Sequence, residues 1–290
     1  MNRIVKCVLS GAMVVCTVMG VVAQENSEGT TPPPKVLMIY REFLKPGKGG
    51  SPHEKAESAF VQAAQRAKWQ EHYLAVNSIT GKQRALFLYG YDSFAAWQKD
   101  SEDSQKNAAL SAALDRASIA DGELLSQIDS SMLVFDEEQS LRPAVDIAHM
   151  RYFEISVYRL RPGHRSEWEE LVKLVKSAYD KIPDTHWAMY DAVYGQEGAE
   201  FVVFIPMKSA AEIDQSFDND KKFGEALGED GMKKLHDLEA AAIEFSQTNL
   251  FQFSPKMSYP REEWVKADPE FWKAKGAAPK KAEGKPAEKK

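Results

Sequence analysis

The chain has 290 residues, 43% of them hydrophobic and 28% charged, with a formal net charge of −6. An acidic balance without a basic face excludes a nucleic-acid footprint, and the length allows stability to come from a hydrophobic core rather than from disulfides. The only two cysteines, Cys7 and Cys16, fall inside an N-terminal apolar segment; if that segment is removed, no disulfide, thiolate metal site or cysteine nucleophile is left.

In chain order, residues 1–23 read as an export signal. Arg3 and Lys6 precede the uncharged run Cys7–Val22, and Val21, Val22 and Ala23 make an acceptable small-residue cleavage site before Gln24. The apolar run is short for a membrane span, which needs about 20 residues, so no stable span is expected after cleavage and the protein is expected to be periplasmic or secreted. Residues 24–35 form a polar, proline-rich linker. The Lys-, Ala- and Pro-rich tail 274–290 shows no apolar periodicity and is expected to be disordered. The signal carries +2 and the tail from Lys273 carries +5, which leaves −13 on residues 24–272.

A first unit, 36–140, opens with a strand over 36–44 that Pro46 and Gly47 stop. A helix from about His53 to Trp69 follows, with Phe60, Ala64 and Ala67 at helical spacing. Strands 72–79 and 84–91 flank a turn at Thr80, Gly81 and Lys82. Ser93 is placed to cap the next helix. Further helix is predicted over 106–116 and 121–128, then a strand over 131–135. The second unit, 146–255, repeats the order: a strand over 151–160 ended by Pro162 and Gly163, a helix over 165–181, strands over 187–194 and 201–205, helices over 210–217 and 232–245, and a strand over 249–253. An aromatic segment, 256–273, is predicted to strap across the molecule or close its mouth. The two units share landmarks at a constant offset: His72 and His186, Gly81 and Gly195, Phe87 and Phe201. A repeat of this kind decides the fold before any local detail does.

The order β-α-β-β-α-β is the ferredoxin-like unit. Two tandem units that lay their bare sheet faces together give an α+β protein built as a pseudo-dimeric α/β barrel, monomeric or further paired as a homodimer, with its sheet edges protected. The paired strand, Pro-Gly, helix and His-aromatic strand pattern resembles the dimeric α/β-barrel superfamily over roughly residues 36–253. Within it the pattern resembles exported bacterial proteins related to the NIPSNAP and antibiotic-biosynthesis-monooxygenase branches. The resemblance implies a barrel fold. The superfamily contains cofactor-independent monooxygenases, haem-degrading enzymes, haem peroxidases, isomerases and proteins without known catalysis. The Asn-Trp-His triad of the haem-degrading branch does not map onto these repeats, and no cofactor is assigned.

Strand alternation suggests which side chains reach the barrel interior, the expected ligand site. In the strand 151–160, Phe153, Ile155 and Val157 are expected to face the helices. Tyr152, Glu154, Ser156 and Tyr158 are expected to face inward, matched by Met38, Tyr40 and Glu42 in the first unit. Tyr40, Glu42, Ser156 and Tyr190 are therefore candidate ligand-binding residues. His72 and His186, at the same place in each unit, are candidates to move protons, with Glu154 and Tyr158 orienting a substrate. No histidine or cysteine spacing marks a metal site, and none is predicted. No phosphate loop, dinucleotide fingerprint or nucleophile elbow is present. The leading expectation is a small hydrophobic or aromatic ligand. A monooxygenase-like enzyme, cofactor-independent or haem-linked, and a non-catalytic envelope assembly protein are the alternatives.

Overall fold

The computed structural model describes residues 29–273. The predicted signal and the lysine-rich tail lie outside the described residues. Within them, two βαββαβ units close one antiparallel eight-stranded barrel in the order β1-β3-β2-β8-β5-β7-β6-β4. The first unit contains β1 (Val36–Leu44), α1 (Ser51–Ala67), β2 (Tyr73–Ser78), β3 (Arg84–Tyr91), α2 (Phe94–Lys106), α3 (Ala108–Gly122) and β4 (Leu125–Leu141). The second contains β5 (Tyr152–Leu160), α4 (Arg165–Tyr179), β6 (Trp187–Tyr194), β7 (Glu200–Met207), α5 (Ala211–Ala242) and β8 (Ile243–Phe253). The short helices α6 (Glu262–Ala267) and α7 (Pro269–Trp272) follow.

The units meet at two seams. β4 pairs with β6, and β8 pairs with β2, all antiparallel. Each unit thus lends its last strand to the other unit's edge, and no strand of the barrel is left with an open side. At the first seam Gly195 holds φ 90°, and a Cβ there would stand 2.2 Å from the Ser130 carbonyl oxygen, so the close approach of β4 requires glycine.

Strand alternation sorts side chains into two layers, in the opposite sense to the sequence expectation. Leu37, Ile39, Leu74, Leu88, Phe153 and Ile155 form one buried cluster inside the barrel, and Val157 packs against it. Tyr158 instead packs with Trp168, Leu171 and Val172 of α4, in the layer between helices and sheet. The physical reason is closure. An eight-stranded barrel has an interior just wide enough for side chains to fill, so the most apolar face turns in and the mixed face, with its glutamates and tyrosines, turns to the helices. The barrel is a packed core, not a ligand chamber.

Two further expectations change. Residues 125–128, predicted helical, open β4, because Leu125 to Ile128 extend the pairing along β1. Residues 243–245 likewise belong to β8 and pair with β5. The two helices predicted over 210–245 are both present and run into one another at a kink at Gly228, together labelled α5. The aromatic segment covers one barrel mouth. Trp272 is buried, its indole N–H donates to the Ala148 carbonyl at 2.8 Å, and its ring contacts those of Trp264 and Phe253. Arg151 ties this segment down through Asp268 and lies over the Phe271 ring, 3.9 Å from its centroid.

Candidate functional site

The main cavity lies outside the barrel wall, between the sheet of the second unit and its two helices. Its volume is about 650 Å³, within the range of small-molecule sites. β5, β6 and β7 supply the floor, with Glu154, Tyr158, Met189, Val203 and Ile205; α4 and α5 supply the roof, with Val172, Val175, Ile213 and Glu239. The cavity exists because α4 is strongly amphipathic. Trp168, Leu171, Val172, Ala178 and Tyr179 turn inward, and large rings hold the helix off the sheet. Trp168 stacks on Phe201 of β7 with centroids 5.0 Å apart, and Tyr179 stands edge-on to Trp187 of β6 at 5.9 Å. The walls are thus mainly flat and apolar, suited to a planar ligand.

Polar and charged side chains, among them Asp146, Asp184, Lys208, Glu212 and Asn219, line the rest of the cavity. The Tyr179 hydroxyl donates to Asp220 Oδ1 at 3.1 Å. The Thr185 hydroxyl lines the cavity and has no hydrogen-bond partner although its oxygen is buried. Burial raises the Glu239 carboxyl to about 7, so it exchanges a proton near neutral pH, the condition for general acid–base work. Sequence reasoning missed Glu239 because it reads as one more carboxylate on a charged helix.

Of the predicted site residues, Glu154, Tyr158 and His186 line this cavity. The structure places the other five elsewhere. His186 Nε2 is 2.8 Å from the Pro206 carbonyl and Nδ1 is 3.2 Å from that of Asp184, so its N–H donates to one of these carbonyls and fixes the ring. His72 stacks on Tyr259, 4.4 Å between centroids, and its Nδ1 faces the Tyr259 carbonyl at 3.2 Å. Ser156 bonds Thr248 across β5 and β8 at 2.7 Å. Tyr190 points into the barrel core, where its hydroxyl donates to the Pro34 carbonyl at 3.1 Å. Tyr40 lies on the helix-facing side of β1, edge-on to Tyr89, and burial followed by Asp100 raises its hydroxyl.

Glu42 belongs to a second constellation, in the first unit. It meets His53 and Glu57 of α1 and Asp121 of α3 between the helices and β1. Glu42, His53, Glu57 and Asp121 are 7%, 1%, 3% and 2% exposed. His53 Nε2 lies 3.0 Å from Glu42 Oε2, 3.5 Å from Asp121 Oδ1 and 3.8 Å from Glu57 Oε1. Burial, then the charges of Glu42 and Asp121, push the Glu57 carboxyl well up, and burial, then Glu42, push Asp121 up. Glu57 Oε1, Asp121 Oδ1 and the nearby Tyr73 hydroxyl are buried without a hydrogen-bond partner. His53 and Glu57 share a helix face at i, i+4, but Glu42 and Asp121 arrive from distant segments, so no spacing in the sequence marks the group.

No protein-family model matches the chain, and no curated protein matches it. Among solved structures it is similar to an anthrone oxidase-like protein, at 14% identity and a TM-score of 0.50, over 79% of this chain and 95% of that one. It is also similar to a candidate monooxygenase from Fusobacterium nucleatum subsp. nucleatum (12%, TM-score 0.49, 76% and 93%). A chlorite dismutase variant from Candidatus Nitrospira defluvii aligns at 9%, with a TM-score of 0.46, over 83% and 99%. The fold is that of the dimeric α/β barrels. At such identities the likeness extends to the fold alone. Among the described residues no helix is long and apolar enough to cross a membrane.

Proposed function

We propose that the protein binds a small, planar, hydrophobic or aromatic molecule between α4, α5 and the sheet of the second unit. The observation that carries this reading is the cavity itself: about 650 Å³ walled by aromatic and aliphatic side chains, with a buried unpaired hydroxyl at Thr185 and a carboxyl that titrates near 7 at Glu239. Apolar walls with a few placed polar groups are what small-molecule sites present. The reading includes export, which rests on Arg3, Lys6 and the apolar run that follows them.

A second reading is monooxygenase-like chemistry on the bound molecule. It draws on Glu239, a group able to take a proton from an acidic phenol or an activated C–H near neutral pH, and on the fold shared with an anthrone oxidase-like protein. In this reading Glu154 and Tyr158 orient the ligand. Glu239 is the stronger candidate base, because both His186 nitrogens already face carbonyls.

Anthrone is a suitable first probe. Titration followed by quenching of tryptophan emission is expected to saturate at one ligand per chain, since Trp168 and Trp187 line the cavity. Val203→Trp, which fills the floor, is expected to weaken binding at least tenfold while the protein stays folded. Unchanged binding in that variant would place the ligand elsewhere and remove this reading. Oxygen uptake with anthrone in the wild type, lost in Glu239→Gln, would select the enzyme; binding without turnover would select the binding protein.

A further inference from the structure

The first unit carries a second site that is independent of the cavity in the other unit. Its four members are drawn from three elements: Glu42 from β1, His53 and Glu57 from α1, and Asp121 from α3. One ligating atom from each lies within 4.8 Å of all the others. Four ligand atoms held about 2.0–2.2 Å from one ion stand roughly 2.8–4.4 Å apart, depending on geometry, so the cluster is already close to the size a bound ion imposes.

The same place in the second unit shows what the fold needs there without an ion. Glu42 lies two residues before the end of β1, and Tyr158 lies two before the end of β5. The inward stripe of α1 is His53, Glu57, Val61, Ala63 and Ala64; that of α4 is Trp168, Leu171, Val172, Ala178 and Tyr179. Tyr158 and Trp168 fill the second unit's version with rings 5.2 Å apart. The architecture therefore accepts an apolar core at this point, and three carboxylates and an imidazole are a departure from it. Packing does not explain them. Buried carboxylates need a counter-charge or strong hydrogen bonds, yet only His53 to Glu42 and Glu57 to Asp121 are hydrogen-bonded within this group, and Glu57 Oε1 and Asp121 Oδ1, both buried and turned toward His53, accept no hydrogen bond. The helix layer around it is thin as well: α2 buries no residue, and α3 buries only Leu110, Ala117 and Asp121.

We propose that Glu42, His53, Glu57 and Asp121 bind one divalent first-row transition metal ion that fastens α1 and α3 to β1. Three carboxylate oxygens and one imidazole nitrogen suit Mn²⁺, Fe²⁺ or Zn²⁺ better than Mg²⁺ or Ca²⁺, which favour all-oxygen sets. All four ligands are buried and all come from the protein, the pattern of a closed structural site rather than an open catalytic one. Metal binding of this kind adds directly to folding stability.

The test uses the untagged full chain, stripped with EDTA and dialysed, then titrated with Mn²⁺ while the EPR signal of free Mn²⁺ is recorded. One Mn²⁺ per chain is expected, displaced by Zn²⁺. The thermal midpoint should rise by about 5–10 °C at a hundredfold excess over the dissociation constant. Glu57→Gln, which keeps the volume and removes an anionic ligand, and Asp121→Asn should each lose the ion and the metal-dependent rise. Their metal-free forms should melt no lower than the metal-free wild type. Pulsed EPR of the Mn²⁺-loaded wild type needs no variant and should show coupling to the ¹⁴N of one imidazole, absent in His53→Gln. A stripped protein whose melting neither ion moves would overturn the proposal. So would Mn²⁺ bound without a nitrogen ligand, or binding that survives Glu57→Gln and Asp121→Asn together.

Discussion

Glu239 illustrates how a single side chain couples the candidate site to stability. Its carboxyl is raised from an ordinary 4.5 to about 7 by burial alone. Between those values the folded protein binds a proton that the unfolded chain has released, so this group lowers stability as pH rises from about 4.5 to 7. Below 4.5 both states are protonated; above 7 neither is, and the full cost of the buried charge is present. Urea unfolding across pH 4–8 should show this fall, and Glu239→Gln should flatten it while raising stability at pH 8. At the same scale, the contrast between Tyr158 beside Trp168 and Glu42 beside His53 shows that equivalent positions in the two units have taken opposite chemistries.

Among the elements, α5 depends on the backbone of a single glycine. It runs over Ala211–Ala242 and bends at Gly228, where φ is 65° and ψ is −179°. That backbone region is essentially reserved for glycine. The bend allows the first half to roof the cavity through Ile213 and Ser216 while the second half adds Glu239 to the roof and returns Leu235, Leu238 and Ala242 to the core. Nothing stands within 4 Å of a Cβ built at Gly228, so Gly228→Ala acts through backbone strain alone. It should cost about 1–3 kcal/mol in chemical denaturation and should weaken ligand binding, since the roof shifts with the helix. The boundary errors near 125–128 and 243–245 belong to this scale too. Local helical propensity was outweighed by pairing with β1 and β5, which no local pattern records.

For the molecule as a whole, closure of the barrel decides what is core and what is site. The interior is filled from both units, and the aromatic segment after β8 seals one mouth with Trp272, which is 3% exposed. Trp272→Ala should remove about 3 kcal/mol of stability, the low end for a buried tryptophan, and leave the Ala148 carbonyl with Arg151 as its remaining donor; the change is measurable as a shift in the urea midpoint with an unchanged slope. The sequence by itself determined the element order, the two matching units and hence the closed α/β barrel, because strand and helix periods, Pro-Gly stops and the repeat offset are local and recur. It named Glu154 and Tyr158 for the barrel interior, whereas they line the cavity outside the barrel wall together with His186. Which sheet face turns inward was left to the tertiary structure. Both faces of β1 and β5 are covered, so alternation alone cannot orient them, and only the narrow lumen of an eight-stranded barrel forces the apolar face inside. The meeting of Glu42, His53, Glu57 and Asp121 was likewise decided in three dimensions, since α3 reaches that point only after the chain has passed through two strands and another helix of the same unit.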